Sequence, residues 1–428
     1  MEVIIENVLK IYLLVSLLLL ILYIPRLWYY VDAFRRHPRL VNEKKNRLAI
    51  LVPAKNESKS IQALFDTLNQ QTYDRDMYDV HVIVEDPQDP TIKMARKAVN
   101  ATIHVVLEQT RKGEALDGAL KTILKYSPDK YDAFIIVDAD NLVHPDFLTE
   151  MNNALASNRQ IIVGKKYIKN WETDDKKARS LISNCTALVY TMVDDLGNSH
   201  RNRANIPVSM CGTGMMVRAD VIKDLGGWPY RTLTEDYEVM MDCLLRGYTS
   251  LYYKHAIVYT EEAVDHRVSF KRRMRWLTGF TQCNKKYRKA VVRKTFFEGK
   301  IVWKNFDFLY SLLPVYIFAG MSLVLSIIGF LAAGAYAIFF QPLAWPILYV
   351  ALTAFGLVYG VLCLFTILTL LVDRKAIKMT FKETLLVIFL NPFILAEFIW
   401  IFIRIFTTAN DLQWDNVDRI AYTPKKDK

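Results

Sequence analysis

The chain has 428 residues, 52% of them hydrophobic and 23% charged, with a formal net charge of +11. That apolar content lets a core offset the ordering entropy and excludes a disordered chain, and 16 Gly with 14 Pro exclude a collagen-like or low-complexity one. Five scattered cysteines without a CxxC pair exclude a disulfide scaffold, and the seven histidines contain no HxxxH pair of the zincin type.

The first element is an apolar run over Asn7–Pro25, about the ~20 residues a bilayer crossing needs, with Lys10 near enough to its end to snorkel. Glu2 and Glu6 precede it and no small-residue cleavage site follows, so it reads as an anchor rather than a secretory leader. Arg26, Arg35, Arg36, Arg39, Lys44 and Lys45 come next and assign its C-terminal side to the cytoplasm.

From about Arg47 to Asn305 the pattern alternates strand and helix. Strands are expected at Arg47–Val52, Val80–Val84, Ile103–Leu107 and Ala133–Val137. Asn56 and Ser58 offer caps for a helix running to Leu68, and Lys112–Tyr126 has Ala and Leu at helical spacing. The alternation predicts an α/β fold with a parallel sheet flanked by helices, whose ligands bind beyond the carboxyl ends of the strands.

The residues at those ends are polar and acidic: Pro53-Ala54-Lys55-Asn56-Glu57, Glu85-Asp86 and Asp138-Ala139-Asp140. None forms a GxGxxG or GKS/T loop, so neither a dinucleotide fingerprint nor a P-loop is supported. Asp-x-Asp after a strand suits a hard divalent ion, Mg²⁺ or Mn²⁺, that also binds substrate phosphates; strand-end aspartates also cap helices. Thr234-Glu235-Asp236 precedes a helix expected over Tyr237–Arg246. It reads either as an N-cap with dipole-favoured acids or as a general base held at a helix start. Arg272-x-x-Arg275-Trp276 is a cationic helix beside a membrane or a pair of guanidinium forks for a diphosphate.

Between Lys271 and Lys304 twelve Lys/Arg face a single acid, Glu298, which matches the whole net charge. This stretch, with Trp276, Tyr287 and Trp303, runs straight into 65 residues, Phe308–Val372, that lack Asp, Glu, Lys, Arg and His. Basic sequence abutting such a run is a membrane-surface collar, not a nucleic-acid site. The run holds two crossings divided by Gln341-Pro342 to Pro346, and its start, Phe306–Pro314, is expected along the interface. A last crossing candidate, Thr384–Ile403, carries Glu397 and is interrupted by Asn391-Pro392: either it is a broken, interfacial or re-entrant hairpin, or it crosses and the charge bias of the tail misleads. Arg404, Arg419, Lys425, Lys426 and Lys428 then favour a cytoplasmic tail. The organisation expected is an anchor with its basic flank (1–45), a cytoplasmic domain (46–305) and a C-terminal membrane region with its tail (306–428).

In order and spacing, LVPAKNE (51–57), VED (84–86), RKGEALDGAL (111–120), VDAD (137–140), CGTGMMVRAD (211–220), TED (234–236) and RRMRW (272–276) resemble the membrane-integrated inverting glycosyltransferases of family 2. That group includes cellulose, chitin, hyaluronan and poly-N-acetylglucosamine synthases. The resemblance implies a GT-A fold with uridine against Pro53, Ala54, Glu57 and Asp86, and with Lys112 nearby. It implies Asp138 and Asp140 as the DxD pair, Asp140 on the Mg or Mn ion, and Asp236 as base toward the acceptor hydroxyl. Cys211, Gly212, Thr213 and Glu235 would cradle the acceptor sugar, Trp276 would offer it a flat face, and Arg272 and Arg275 would serve the diphosphate. Two positions depart from the family pattern: Arg272 stands where QxxRW has Gln, and Pro87 replaces the small residue that often follows the acidic pair.

The resemblance further implies transfer of a hexose (glucose or N-acetylglucosamine) from a UDP-sugar to a growing β-linked polysaccharide. The setting would be a bacterial cell membrane, with membrane lipid, a further copy of the chain or export proteins as partners and no nucleic acid. One rival adds one or a few sugars to a lipid acceptor. Another is a catalytically silent regulatory module, against which the intact Asp138, Asp140, Asp236 and Arg275 argue.

Overall fold

The computed structural model describes residues 2–21, 27–173, 175–297, 315–339 and 344–408. These divide into two compact units: residues 2–21, 27–34, 315–339 and 344–408 form one, and residues from 35 to 297 form the other. The expected interfacial stretch Phe306–Pro314 and the basic tail beyond Thr408 lie outside the described residues.

In chain order the helices are α1 (Glu2–Ile21), α2 (Leu27–Ala33), α3 (Ile61–Asn69), α4 (Pro90–Val99), α5 (Lys112–Tyr126), α6 (Phe147–Ala154) and α7 (Leu181–Thr191). They continue with α8 (Ser199–Ala204), α9 (Ala219–Leu225), α10 (Glu235–Arg246), α11 (His266–Phe296), α12 (Val315–Phe339), α13 (Ala344–Val372) and α14 (Phe381–Thr408). The strands are β1 (Leu48–Pro53), β2 (Tyr78–Val84), β3 (Thr102–Val105), β4 (Ala133–Ile136), β5 (Leu142–Val143), β6 (Ile161–Ile168), β7 (Met215–Arg218) and β8 (Ser250–Thr260).

The eight strands form one sheet in the order β3-β2-β1-β4-β7-β6-β8-β5. The four strands expected from sequence make its parallel half, β3-β2-β1-β4. Beyond β4 the sheet is mixed: β7 runs antiparallel to both β4 and β6, and β5 antiparallel to β8, strands the sequence reading did not place. The reason is legible in composition. Strand β5 has two residues, and β6 buries Lys165 and Lys166 where an apolar run would have announced it.

Strand β1 is buried along its whole length, as a parallel strand covered on both faces must be. Helix α3 lays Ile61, Leu64, Phe65 and Leu68 on one stripe, all fully buried in the core that also holds Leu48, Ile50 and Val52 of β1. This helix begins later than expected, at Ile61. Asn56 takes a left-handed conformation (φ 57°), and the Glu57 carbonyl accepts the N–H groups of Ser60 and Ile61, so residues 54–60 form a turn at the mouth of the sheet.

On the β2–β3 edge, Tyr131 donates to Asp79 (2.8 Å) and so accepts from His81 Nε2 (2.8 Å), which leaves His81 Nδ1 to accept from His104 Nε2 (2.9 Å). Burial, helped by the neighbouring His104, pushes His81 down to about 3. Between the unfolded value near 6.5 and that level the unfolded chain binds the extra proton, so stability falls as pH falls, by about 1.4 kcal/mol per pH unit for one such group. The unfolding midpoint of the purified full chain should therefore drop between pH 6.5 and 4.5, and His81→Phe should flatten the drop. Asp79, held down at about 2 despite its burial by Lys130, Tyr131 and Arg47, contributes stability above the ordinary carboxylate range and loses it only as pH falls from 3.8 toward 2.

In the other unit, three helical stretches are long and apolar enough to cross a membrane: Ile317–Phe339, Leu348–Val372 and Phe381–Ile405. The two crossings expected in the uncharged run are the first two. The third lies on the last crossing candidate, where α14 continues through Asn391-Pro392 instead of breaking there. Asn391 donates to Thr366 Oγ1 of α13 (3.1 Å) and Tyr359 donates to the Phe389 carbonyl (2.8 Å), so the neighbouring helix serves polar groups beside the proline. Ser16 of α1 donates to the Ser322 carbonyl of α12 (2.9 Å).

Candidate active site

The acids and glycines singled out in the sequence converge beyond the carboxyl ends of β1, β2 and β4. Lys112, the first residue of α5, is their hub. The Glu114 carboxylate accepts the N–H groups of Thr110 (2.7 Å) and Arg111 (3.1 Å), which fixes the helix start and aims Lys112 across the sheet. Its ammonium lies 2.6 Å from Asp138 and 3.6 Å from Glu235, and donates to the Gly212 carbonyl. Burial opposes that charge, but Asp138, Glu235 and Asp236 outweigh it and hold the ammonium above its ordinary value.

The Cys211-Gly212-Thr213 loop is bound to the strand end that carries the DxD pair. Thr213 Oγ1 accepts the Asp138 N–H (3.1 Å) and the Asn141 amide (2.5 Å), and the Gly214 N–H donates to the Ile136 carbonyl (2.9 Å). Gly212 and Gly214 both adopt positive φ, 71° and 62°. A β-carbon on Gly212 would stand 3.2 Å from Asp236 Oδ2, and one on Gly214 would stand 2.5 Å from Val258. Glycine is thus what lets the loop face the Asp236 carboxylate. Burial pushes the Cys211 thiol up to about 12, so this side chain lines the loop and is no nucleophile.

Glu235 and Asp236 open α10, two residues earlier than expected, and Thr234 precedes them without a side-chain capping bond. Thr234 thus holds the cap position and acids fill the first turn as that reading expects, without its hydroxyl closing a capping bond. Asp236 Oδ1 accepts the Tyr237 N–H (2.7 Å), which leaves Oδ2 toward Gly212. Burial raises the pKa of Asp236 and pushes Glu235 up to about 7, with Lys112 opposing both. A half-buried carboxylate of raised pKa at a loop lined by backbone is suited to proton abstraction near neutral pH.

A second cluster adjoins Asp140. Lys169 donates to the Asp140 carbonyl (2.9 Å) and pairs with Glu261 (2.6 Å). Glu262, fully buried, accepts from Tyr190 (2.6 Å) and Arg272 (3.2 Å), and Arg272 also donates to the Glu261 carbonyl (2.6 Å). Burial raises the pKa of Glu262, Arg272 pulls it back, and the charge of Asp140 adds to the rise. Trp276, one turn beyond Arg272 and half-buried, meets the Tyr190 ring edge to face at 6.4 Å. Sequence reasoning missed Lys169, Glu261, Glu262 and Tyr190. The acid pair that ends β8 was the available signal, hidden because β8 itself was not recognised.

The residues expected at the nucleotide have local partners. Ala54 donates to the Ile83 carbonyl (2.8 Å), joining the ends of β1 and β2. Glu57 accepts from the Ser60 hydroxyl (2.5 Å), exposed Asp86 accepts the Gln88 N–H (2.8 Å), and Lys55 pairs with Glu85 (2.7 Å). Pro53, Ala54, Glu57 and Asp86 thus share one rim of the sheet.

The site thus combines a sheet with a parallel half, an Asp-x-Asp at the end of its central strand β4 and a helix-start carboxylate pair joined to it through Lys112. The structure superposes on the mannosyltransferase PcManGT of Pyrobaculum calidifontis, solved with GDP-Man and Mn²⁺, with a TM-score of 0.58 at 18% identity, over 89% of this chain and 98% of that one. The chain belongs to the glycosyl transferase family group 2, whose model matches residues 133–401. It is 22% identical over 241 residues to a probable glycosyltransferase, YdaM, of Bacillus subtilis, covering 54% of this chain and 55% of the relative. It is 26% identical over 259 residues to glucomannan 4-beta-mannosyltransferase 2 of Arabidopsis thaliana, covering 54% and 47%. To the catalytic component of a UDP-forming cellulose synthase of Dictyostelium discoideum it is 26% identical over 188 residues, 41% and 16%. The chain spans about half the length of the first two.

Proposed function

We propose that this protein is an inverting, membrane-integrated glycosyltransferase that moves a hexose from a nucleotide sugar to the hydroxyl of a growing β-linked glycan. The observation that carries it is the convergence of Asp138, Lys112, Gly212, Glu235 and Asp236 in one cluster. Inversion at an anomeric carbon is a single displacement. It requires one base and no covalent nucleophile, in keeping with the raised thiol of Cys211.

In the proposed reaction Asp236 accepts the proton of the acceptor hydroxyl as its oxygen attacks the anomeric carbon. The bond to the diphosphate breaks with its electron pair, and the nucleoside diphosphate departs. Lys112 keeps Asp138, Glu235 and Asp236 from repelling one another before substrate enters. Arg275 follows Arg272 by one turn and offers a guanidinium fork to the diphosphate, while Arg272 ties α11 to the end of β8 through Glu262.

Asp138 and Asp140 suit a divalent ion of the Mg²⁺ or Mn²⁺ kind: their main chain is fixed by Thr213 and Lys169, and their donors are hard oxygens. Such an ion would offset the charge of the leaving diphosphate. The Mn²⁺ and GDP-Man named with PcManGT support that reading.

The donor is tested with the purified full chain and UDP-glucose, UDP-N-acetylglucosamine and GDP-mannose, following nucleoside diphosphate release and product length. Release with none of them removes the activity; product extended by one or two sugars on lipid replaces the polymerase with a lipid glycosyltransferase. Trp276 tests chain retention. Its indole gives a rigid apolar face to a sugar of any hydroxyl pattern, and Tyr190 braces it. Trp276→Ala is expected to shorten products while nucleotide binding persists. Lower folded yield with unchanged product length would make Trp276 an anchor of its helix instead.

A further inference from the structure

Helix α11 carries more than Arg272, Arg275 and Trp276. Beyond them Gly279, Gln282, Cys283, Lys286 and Tyr287 recur at the three- and four-residue spacing of a single helical face. Each meets the chain segment that leads into Asp236 or the helix that Asp236 opens.

Gln282 Oε1 accepts the Leu233 N–H at 3.0 Å. Cys283 Sγ lies 3.3 Å from Thr232 Oγ1 and 3.8 Å from the Thr234 carbonyl oxygen. Lys286 and Tyr287 donate to Glu238 Oε1 at 2.5 and 3.1 Å, and Glu238 Oε2 accepts the N–H groups of Arg231 and Thr232, both at 2.9 Å. Three successive N–H groups, those of residues 231, 232 and 233, are therefore each held by a side chain that belongs to α11 or is held by it. Gly279 allows the approach: a β-carbon there would stand 2.4 Å from Thr234 Oγ1, 2.5 Å from its Cγ2 and 2.8 Å from its backbone nitrogen.

We propose that Gln282, with Gly279 beside it, is a positioning residue that fixes Asp236 against the acceptor site by tying the 231–234 segment to the helix that carries Trp276. The proposal rests on Asp236 being the base. Trp276 and Gln282 are six residues apart, about 9 Å along the axis at ~1.5 Å per residue. One rigid rod thus sets the separation between the surface under the acceptor sugar and the carboxylate that must reach its hydroxyl. A proton-abstracting group that drifts by ~1 Å can cost ~10²-fold in rate, so a single amide acceptor has leverage here.

The experiment compares Gln282→Ala, Gln282→Glu and Gly279→Ala in the purified full chain with the same three nucleotide sugars. Gln282→Ala is expected to lower kcat ~10–100-fold with nucleoside diphosphate affinity unchanged by calorimetry. Gln282→Glu keeps an oxygen for the Leu233 N–H and should restore most of the rate. Gly279→Ala, which drives a methyl into Thr234, should reproduce the loss, and adding Thr234→Ser should recover part of it. Whatever the donor, amide hydrogen exchange at Leu233 should quicken in Gln282→Ala. Wild-type turnover with unchanged exchange in Gln282→Ala overturns the proposal, as does a parallel loss of nucleotide affinity, which marks a purely structural role. Asp236→Asn run alongside separates the two readings: if it retains turnover, the base assignment fails, whereas an inactive Asp236→Asn beside a fully active Gln282→Ala removes the positioning role alone.

Discussion

Asp236→Asn is expected to lower sugar transfer ~10²–10⁴-fold while the nucleotide still binds, because an amide cannot accept the acceptor's proton and general-base loss has that magnitude. The substitution is nearly isosteric. Asp236 Oδ1 accepts the Tyr237 N–H, a bond that the amide oxygen of Asn reproduces, so the start of α10 should hold its shape. The rim formed by Pro53, Ala54, Glu57 and Asp86 belongs to β1, β2 and their turns, and is left untouched. Calorimetry with nucleoside diphosphate should thus give the wild-type affinity, and the loss should appear in kcat. Turnover near wild type in this variant would take the base role away from Asp236 and direct attention to Glu235, which burial pushes up to about 7 in the same cluster.

Asp140→Ala is expected to remove most of the dependence of activity on Mg²⁺ or Mn²⁺, together with ~10²-fold or more of the rate, since Lewis-acid stabilisation of a departing charge is worth several kcal/mol. Lys169 grips the Asp140 main-chain carbonyl, a bond that alanine keeps. The measurement is a titration of rate and of donor affinity against added Mg²⁺ or Mn²⁺ in wild type and variant. Wild-type turnover in excess chelator would end the metal assignment. A variant that binds donor as tightly as wild type, with the same metal dependence, would move the ion away from Asp140.

The sequence by itself determined the parallel half of the sheet and the acids at its edge. Those strands are short apolar runs bounded by turn signals, and a run such as Leu48–Val52 is buried from both sides whatever follows it. It also determined that Lys112–Tyr126 is a helix and that the two uncharged stretches after Phe308 are long helices, because periodicity and length are local properties. What it did not determine depends on partners distant in the chain. Lys165 and Lys166 look like surface residues until Asp195 and Asp194 bury them as ion pairs, so β6 escaped notice. Asn391-Pro392 looks like a break until Thr366 serves the asparagine and Tyr359 the adjoining backbone.

The site divides in the same way. Asp138, Asp140 and Asp236 could be named from motif and spacing, since each sits beside a helix or strand end that the local sequence announces, and Trp276 from its place directly after the arginine pair. Only the tertiary structure decided that Lys112 bridges Asp138 and Glu235, that Glu262 holds Arg272, and that Gly279 and Gln282 grip the segment before Asp236. Those contacts join residues 10 to 123 positions apart in the chain. Their energies come from burial and from charge brought into low-dielectric surroundings, conditions that exist only after the chain has folded.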